Sequence, residues 1–436
     1  MRSTLKALSI VFIAMALLAG KAAAQQAEFD WMRYEGETLN FLSSNHPWSN
    51  AVMTRVGDFL SLTGIGVRTE TFQEQQMRQR LVTLLQSRSR ELDIFMSLKS
   101  REGLTFYEAG WYSDLYEYVN DPSMTSPEYD FEGLSTALVA AEVYDGVLTG
   151  IPLNIEGPVF YYRTDILGRC GVEPPTTLGE IETAAQAIRA CDPDIVPFAS
   201  RGLAPAVAYT LSNFLHNAGA TYLDDNGRSN LCSDTAVEAI DLYSRLLRDY
   251  GPEGVVNYSF YQLTTLTGEG RVAMSFMSSN EFGNIMAYEG RSDDLAIMPL
   301  PPGAGGSVPT VIGWGISMSD FAQNPGPAWY FIQWATSPEM QLELAFEGLA
   351  PPRASVAESE EYRAWVEEFP IRQNWVNVLE ELGSTGTSEV GPPIKSQPES
   401  RQIIGEMVQQ VILNQASARE AACAADVRIN QLIDDE

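Results

Sequence analysis

The chain has 436 residues, with 57 acidic against 28 basic side chains and a net charge of −29 at neutral pH. So negative a field repels nucleic acid and anionic membrane surfaces and argues against both as partners. The length exceeds what one compact core usually fills, so two lobes are expected. The N-terminus carries Arg2 and Lys6, an apolar run from Ala7 to Ala19, and then Ala22-Ala23-Ala24 before Gln25. Charge, short apolar run and small residues in that order are the pattern of a secretory signal peptide spanning residues 1–24. The run falls short of the roughly 20 apolar residues that cross a bilayer. No cysteine stands at the cleavage point, so no lipid anchor is expected, and a freely diffusing mature chain suits a periplasm. Loss of Arg2, Lys6 and Lys21 with that segment brings the mature charge to −32.

Past the leader, strands and helices alternate. Residues 38–42 (TLNFL) read as a buried strand, and residues 45–49 as a polar loop. Residues 51–62 carry helical periodicity, with Gly64 as a left-handed stop. A strand at 65–71, a helix at 75–86 and a strand at 93–96 (DIFM) follow. Strands separated by helices of 10–15 residues imply βαβ units and a mostly parallel sheet. Further on come a strand at 159–162, helices at 178–190 and 235–249, and a strand at 272–277. The Pro/Gly-rich stretch 299–307 reads as a crossing or loop. In open sheets of this kind ligands lie beyond the carboxyl ends of the strands, which puts 45–48, 72–74 and 97–102 along one edge of a cleft.

Four cysteines, Cys170, Cys191, Cys232 and Cys423, form an even set in an exported chain and lack the close spacing of a zinc site. Three pairings are open. Proximity in sequence favours Cys170 with Cys191, leaving Cys232 with Cys423.

Several ordered blocks carry a family resemblance. Tyr144-Asp145-Gly146, Gly150-Ile151-Pro152-Leu153, Tyr161-Tyr162-Arg163, Gly171 and Pro174-Pro175-Thr176-Thr177 come first. The segments 267–274 (TGEGRVAM), 312–316 (IGWGI), 328–341, 348–353 (GLAPPR) and the helix expected over 408–432 follow in order. Together they resemble the family 1 extracellular solute-binding proteins, the maltose-binding-protein-like receptors of carbohydrate ABC importers. Arg163 stands where the family commonly has Asn, Leu178 where it has Trp, and Asn280-Glu281 where a Trp often follows the "AM" strand.

The resemblance implies an α/β fold of two lobes, each a mostly parallel sheet flanked by helices, joined by three crossings near 153–156, 298–300 and 336–338. Lobe one would hold residues 25–154 and 300–336, and lobe two 156–298 and 338–436. It also implies a monomeric receptor without enzymatic activity, cofactor or metal, which takes a small neutral polar solute, a sugar or sugar alcohol, to an ABC permease. Such a solute needs carboxylates and amides for its hydroxyls and an aromatic ring for its C–H face. The strand-edge rule and the resemblance together nominate His46, Trp48, Glu74, Arg101, Glu102, Glu156, Asn280, Glu281, Trp314 and Arg353. Structural roles compete for several of them: Trp48 as a staple at a helix start, Glu74 as a first-turn acid, Arg101 and Glu102 as a surface pair.

The same residues bear on two other functions. A hydrolase finds only two histidines, His46 and His216, and no G-x-S-x-G, H-E-x-x-H or P-loop pattern. A receptor for cations such as polyamines or betaines would need an aromatic cage, for which Trp48, Tyr107 and Trp314 are the candidates.

Overall fold

A computed structural model describes residues 28–436; the expected signal peptide, residues 1–24, lies outside them. Eleven strands are found among the described residues: β1 (Thr38–Ser44), β2 (Gly66–Phe72), β3 (Ile94–Ser97), β4 (Val143–Tyr144), β5 (Val147–Leu148), β6 (Ile151–Pro152), β7 (Pro158–Arg163), β8 (Val196–Ala199), β9 (Val272–Ser278), β10 (Leu295–Met298) and β11 (Gly315–Met318).

They form two principal sheets, of order β2-β1-β3-β11-β6 and β10-β7-β9-β8, with β4 and β5 as a separate hairpin. In the first sheet β2, β1 and β3 run parallel, and β11 lies antiparallel to both β3 and β6. In the second, β8 and β9 are parallel and β7 runs against both β9 and β10. Each sheet is therefore parallel except for one reversed strand.

The expected elements form at close to the expected places, with two breaks. The helix read over 51–62 is two helices, Pro47–Thr54 and Val56–Thr63, separated at Arg55, whose backbone (φ −105°, ψ 5°) leaves the helical region. Gly64 ends the second with φ 68°, the left-handed stop its sequence position implied. The C-terminal helix expected over 408–432 is likewise two, Gln397–Ile412 and Ala418–Asp434. Asn414 turns the chain between them at φ 55°, and Ser417 restarts the helix through a capping box with Glu420.

Two cores follow the two sheets. The first gathers Leu39 and Phe41 of β1, Ile94 to Met96 of β3, Ile316 and Met318 of β11, and Trp329 to Ile332 from the helix Pro325–Ala335. The second sheet is covered on both faces. Phe160, Phe198 and Phe276 pack under the helices Ala204–Ala218, Asp234–Tyr250 and Gln397–Ile412. Val159, Tyr161 and Met277 pack on Trp375 and Leu382 of the helix Pro370–Thr385. The side-chain alternation of β7 feeds both cores.

The chain passes between cores three times. Leu153 belongs to the first core and Val159 to the neighbouring one; Leu300 belongs to the second and Ile312 to the first. Near the third expected crossing, at 336–338, Met340, Leu344 and Leu349 pack in the first core, Ala345 packs with Val356, Tyr362 and Val366, and Ala350 packs with Trp375. Disulfides join Cys170 with Cys191 and Cys232 with Cys423, the pairing favoured by proximity. No helix of the described residues is long and apolar enough to cross a membrane.

Candidate functional site

Five strand ends and two crossings converge on one pocket, lined by Ser44, His46, Glu74, Arg101, Glu156, Arg201, Tyr209, Phe260, Ser278, Glu281, Ile312, Trp314 and Arg401 among others. The side chains fill most of it, and what space is left opens to solvent.

The first sheet supplies one wall. β1 ends at Ser44, and His46 caps the helix Pro47–Thr54 that follows, its Nδ1 accepting the Trp48 N–H at 3.2 Å. That bond fixes the neutral tautomer with its proton on Nε2, which faces Glu156 Oε2 at 3.6 Å. β2 delivers Glu74 to the first turn of the helix Glu74–Gln86, where the helix dipole favours an anion. Burial alone would raise its carboxyl, but the guanidinium groups of Arg78, Arg101 and Arg201 outweigh it and hold the pKa at about 2. After β3 a wide π-type turn, Lys99–Gly103, presents Arg101. Arg101 reaches Glu74 Oε1 at 3.5 Å and Gln75 Oε1 at 3.3 Å.

The crossings make the floor. Glu156 and Ile312 exchange backbone hydrogen bonds of 2.9 and 2.8 Å, and Leu153 N–H donates to the Trp314 carbonyl at 2.8 Å. This short antiparallel ladder fixes Glu156 and Trp314 beside each other. Gly157 is required next to it, because a Cβ there would lie 2.4 Å from the Thr310 carbonyl oxygen. Trp314 has two neighbours here: Arg78 sits 5.1 Å from its ring centre and the His46 ring 5.4 Å.

The second sheet supplies the opposite wall. β8 ends at Ala199, and Arg201 follows, its guanidinium 4.0 Å over the Tyr209 ring and 5.6 Å from that of Phe260. β9 ends at Ser278, and the 3-10 turn Ser279–Glu281 sets Glu281 against Thr264 and Asn284 at 2.8 and 3.0 Å. Burial, with the nearby Glu156, pushes the Glu281 carboxyl above its ordinary range despite those bonds. Tyr209 is pushed well above the tyrosine range by burial and by Glu156, so it stays a hydroxyl donor. The two walls touch: Tyr261 Oη accepts the Glu74 backbone N–H at 3.2 Å.

Of the ten nominated residues, His46, Glu74, Arg101, Glu156, Glu281 and Trp314 line the pocket. Asn280 lies directly behind, donating its amide to Glu156 Oε2. Glu102 does not face the pocket: it is buried, taking the Leu98 N–H at 2.8 Å and the Arg78 guanidinium, so it positions the cation that covers Trp314. The surface pair of Arg101 with Glu102 does not form; each is buried with another partner.

Two nominations are corrected. Trp48 is fully buried in the first core, because the turn after β1 directs the first helical face inward. Arg353 is 1 % exposed and clamps backbone carbonyls, bonding Thr336 O at 2.9 and 3.2 Å, Tyr129 O at 3.1 Å and Asp130 O. It ties the chain after the helix Pro325–Ala335 to the loop before Leu134. The cage expected from Trp48, Tyr107 and Trp314 does not form: Trp48 is in the core, and Tyr107 stacks on Tyr144 outside the pocket.

Arg201, Tyr209, Phe260 and Arg401 were not nominated. Arg201 was within reach of the strand-edge rule had the short strand Val196–Ala199 been read. Arg401 comes from a helix some 200 residues later, and no local pattern marks it.

Residues 49–342 match the family described as bacterial extracellular solute-binding protein. An erythritol/L-threitol-binding protein of Mycolicibacterium smegmatis is 26 % identical over 338 residues, covering 73 % of this chain and 70 % of that one. A mannitol-binding protein of Pseudomonas aeruginosa is 22 % identical over 385 residues, covering 83 % and 85 %. A solute-binding protein of an ABC transporter from Agrobacterium radiobacter K84, solved with ribitol, superposes with a TM-score of 0.81 at 22 % identity, covering 91 % of this chain and 99 % of that one. With its two sheets, its triple crossing and this match over most of its length, the chain belongs to the bacterial extracellular solute-binding proteins.

Proposed function

We propose that this chain is the periplasmic receptor of an ABC importer, a monomer that closes two lobes on a sugar or sugar alcohol and presents it to the permease. It is a binding protein and not an enzyme, as its family implies. The lobes are taken as residues 25–154 with 300–336 and 156–298 with 338–436. Residues 1–24 would direct export.

The observation that carries this reading is a single pocket whose hydroxyl-matching groups come from both sheets. Glu156, Glu281 and His46 offer acceptors and a donor, Tyr209 a donor, and Trp314 an apolar face. Charge-assisted hydrogen bonds of this kind are worth roughly 1.5–3 kcal/mol each. Closure follows when the solute gains contacts in the closed state that the open state lacks. The polyol-binding relative from Mycolicibacterium supports a short polyhydroxylated solute.

A thermal-shift panel of C4 to C6 polyols, monosaccharides, amino acids and polyamines tests it. A polyhydroxylated member should raise the melting temperature in proportion to RT ln(1 + [L]/Kd). Stabilisation by polyamines or amino acids alone would remove the carbohydrate reading.

A further inference from the structure

Two guanidinium groups in the pocket have no carboxylate of their own. Arg201 is 7 % exposed and Arg401 3 %. Nε of Arg201, and Nε and Nη2 of Arg401, have no hydrogen-bond partner among the described residues. Both side chains line the pocket. Arg78 and Arg101, by contrast, are matched: Glu74 takes both, and Glu102 takes Arg78 as well. The remaining acids are engaged elsewhere, Glu156 by Asn280 and His46, and Glu281 by Thr264 and Asn284.

We propose that the solute carries, besides its hydroxyls, one anionic group, a carboxylate or a phosphate ester, held by Arg201 and Arg401. A buried cation with unmade hydrogen bonds is costly, and the cost is recovered only by a partner that supplies both acceptors and charge. A sugar hydroxyl supplies an acceptor but no charge. The planar five-donor fork of arginine matches two oxygens of one anion.

The surroundings of Arg401 agree. Burial, and then the positive charges of Arg101 and Arg78, lower its pKa to about 9, and Glu102 and Glu74 only partly offset them. Arg401 thus lies beside two further guanidinium groups inside a chain whose overall charge is −29. Arg201 stacks on Tyr209 and Phe260, which orients its fork without consuming its donors. The acidic and aromatic side of the same pocket, with Glu156, Glu281, His46 and Trp314, remains for a polyhydroxyl tail. A sugar acid or a phosphorylated polyol matches this division of charges.

This assignment rests on the receptor reading above and refines its substrate class. Isothermal titration with matched pairs tests it: ribitol against ribonate, mannitol against mannonate, and mannitol against mannitol 1-phosphate. The expected result is that one anionic member binds at least tenfold tighter than its neutral counterpart, and the carboxylate and phosphate arms show which anion is meant. In Arg401→Gln and Arg201→Gln the anion-to-neutral affinity ratio should fall at least tenfold, with Arg401→Lys retaining part of it. Equal or tighter binding of the neutral member would overturn the anion assignment while leaving the receptor reading intact. Silence of the whole panel, sugars included, would overturn both. The wild-type comparison decides the matter even where a variant fails to fold.

Discussion

Three side chains converge on one carboxylate oxygen. Glu156 Oε2 takes the Asn280 amide, lies 3.5 Å from the Asn154 amide and 3.6 Å from His46 Nε2. Residues behind the pocket thus fix the acceptor before any solute arrives, which reduces the ordering cost of binding. Glu156→Gln exchanges an anionic acceptor for a neutral one and should weaken solute binding at least tenfold, about the worth of one charge-assisted bond. Titration calorimetry reads it directly, with the melting temperature as a control for folding. Trp48 behaves oppositely. Trp48→Ala leaves a cavity in the first core and should cost about 3–5 kcal/mol of stability, while the folded fraction keeps its affinity. Glu74 adds a pH dependence. Its pKa is about 2 in the fold against an ordinary 4.5, so its stabilisation is complete above pH 4.5 and is lost as pH falls toward 2. Acid unfolding followed by circular dichroism should show a flatter acid limb in Glu74→Gln than in the wild type.

At the scale of elements, the site is a set of strand ends. β1, β2 and β3 each stop where a polar side chain is wanted, and the turn that follows caps or begins a helix. That is why His46, Glu74 and Arg101 were legible in the sequence: alternating strands and helices locate the carboxyl edges, and short loops allow little freedom there. Glu281 was legible for the same reason, after β9. Trp314 and Glu156 came from the family pattern, and the ladder between crossings explains their adjacency. Trp48 and Arg353 were misread because sequence gives a residue's place along an element but not the face it turns. A tryptophan four residues past a strand can point to the cleft or the core with no change of pattern. Arg401 was invisible because its position depends on how the helix Gln397–Ile412 packs against Ala204–Ala218, a contact between segments far apart in the chain. The Cys232–Cys423 disulfide stabilises that arrangement by closing a loop of 191 residues, against 21 for Cys170–Cys191. Chain-entropy estimates put these at about 5 and 3 kcal/mol. Differential scanning calorimetry of the two double Cys→Ser variants should find the larger loss for the long loop.

At the scale of the whole molecule, the described residues form two principal sheets, one reversed strand in each, and a hydrogen-bonded ladder where the chain passes between them. Arg353 is clamped onto Thr336 and Tyr129, which ties the chain after the helix Pro338–Phe346 to the first core. Arg353→Ala should therefore lower the melting temperature sharply without a specific effect on solute selectivity. The same architecture predicts one binding event per chain, since both walls are needed for one pocket. A crystal structure of the protein with its stabilising solute tests this most directly. One solute molecule should lie between Glu156 and Trp314 on one side and Arg201 and Tyr209 on the other; a solute bound outside that pocket, or held by one sheet alone, would contradict it.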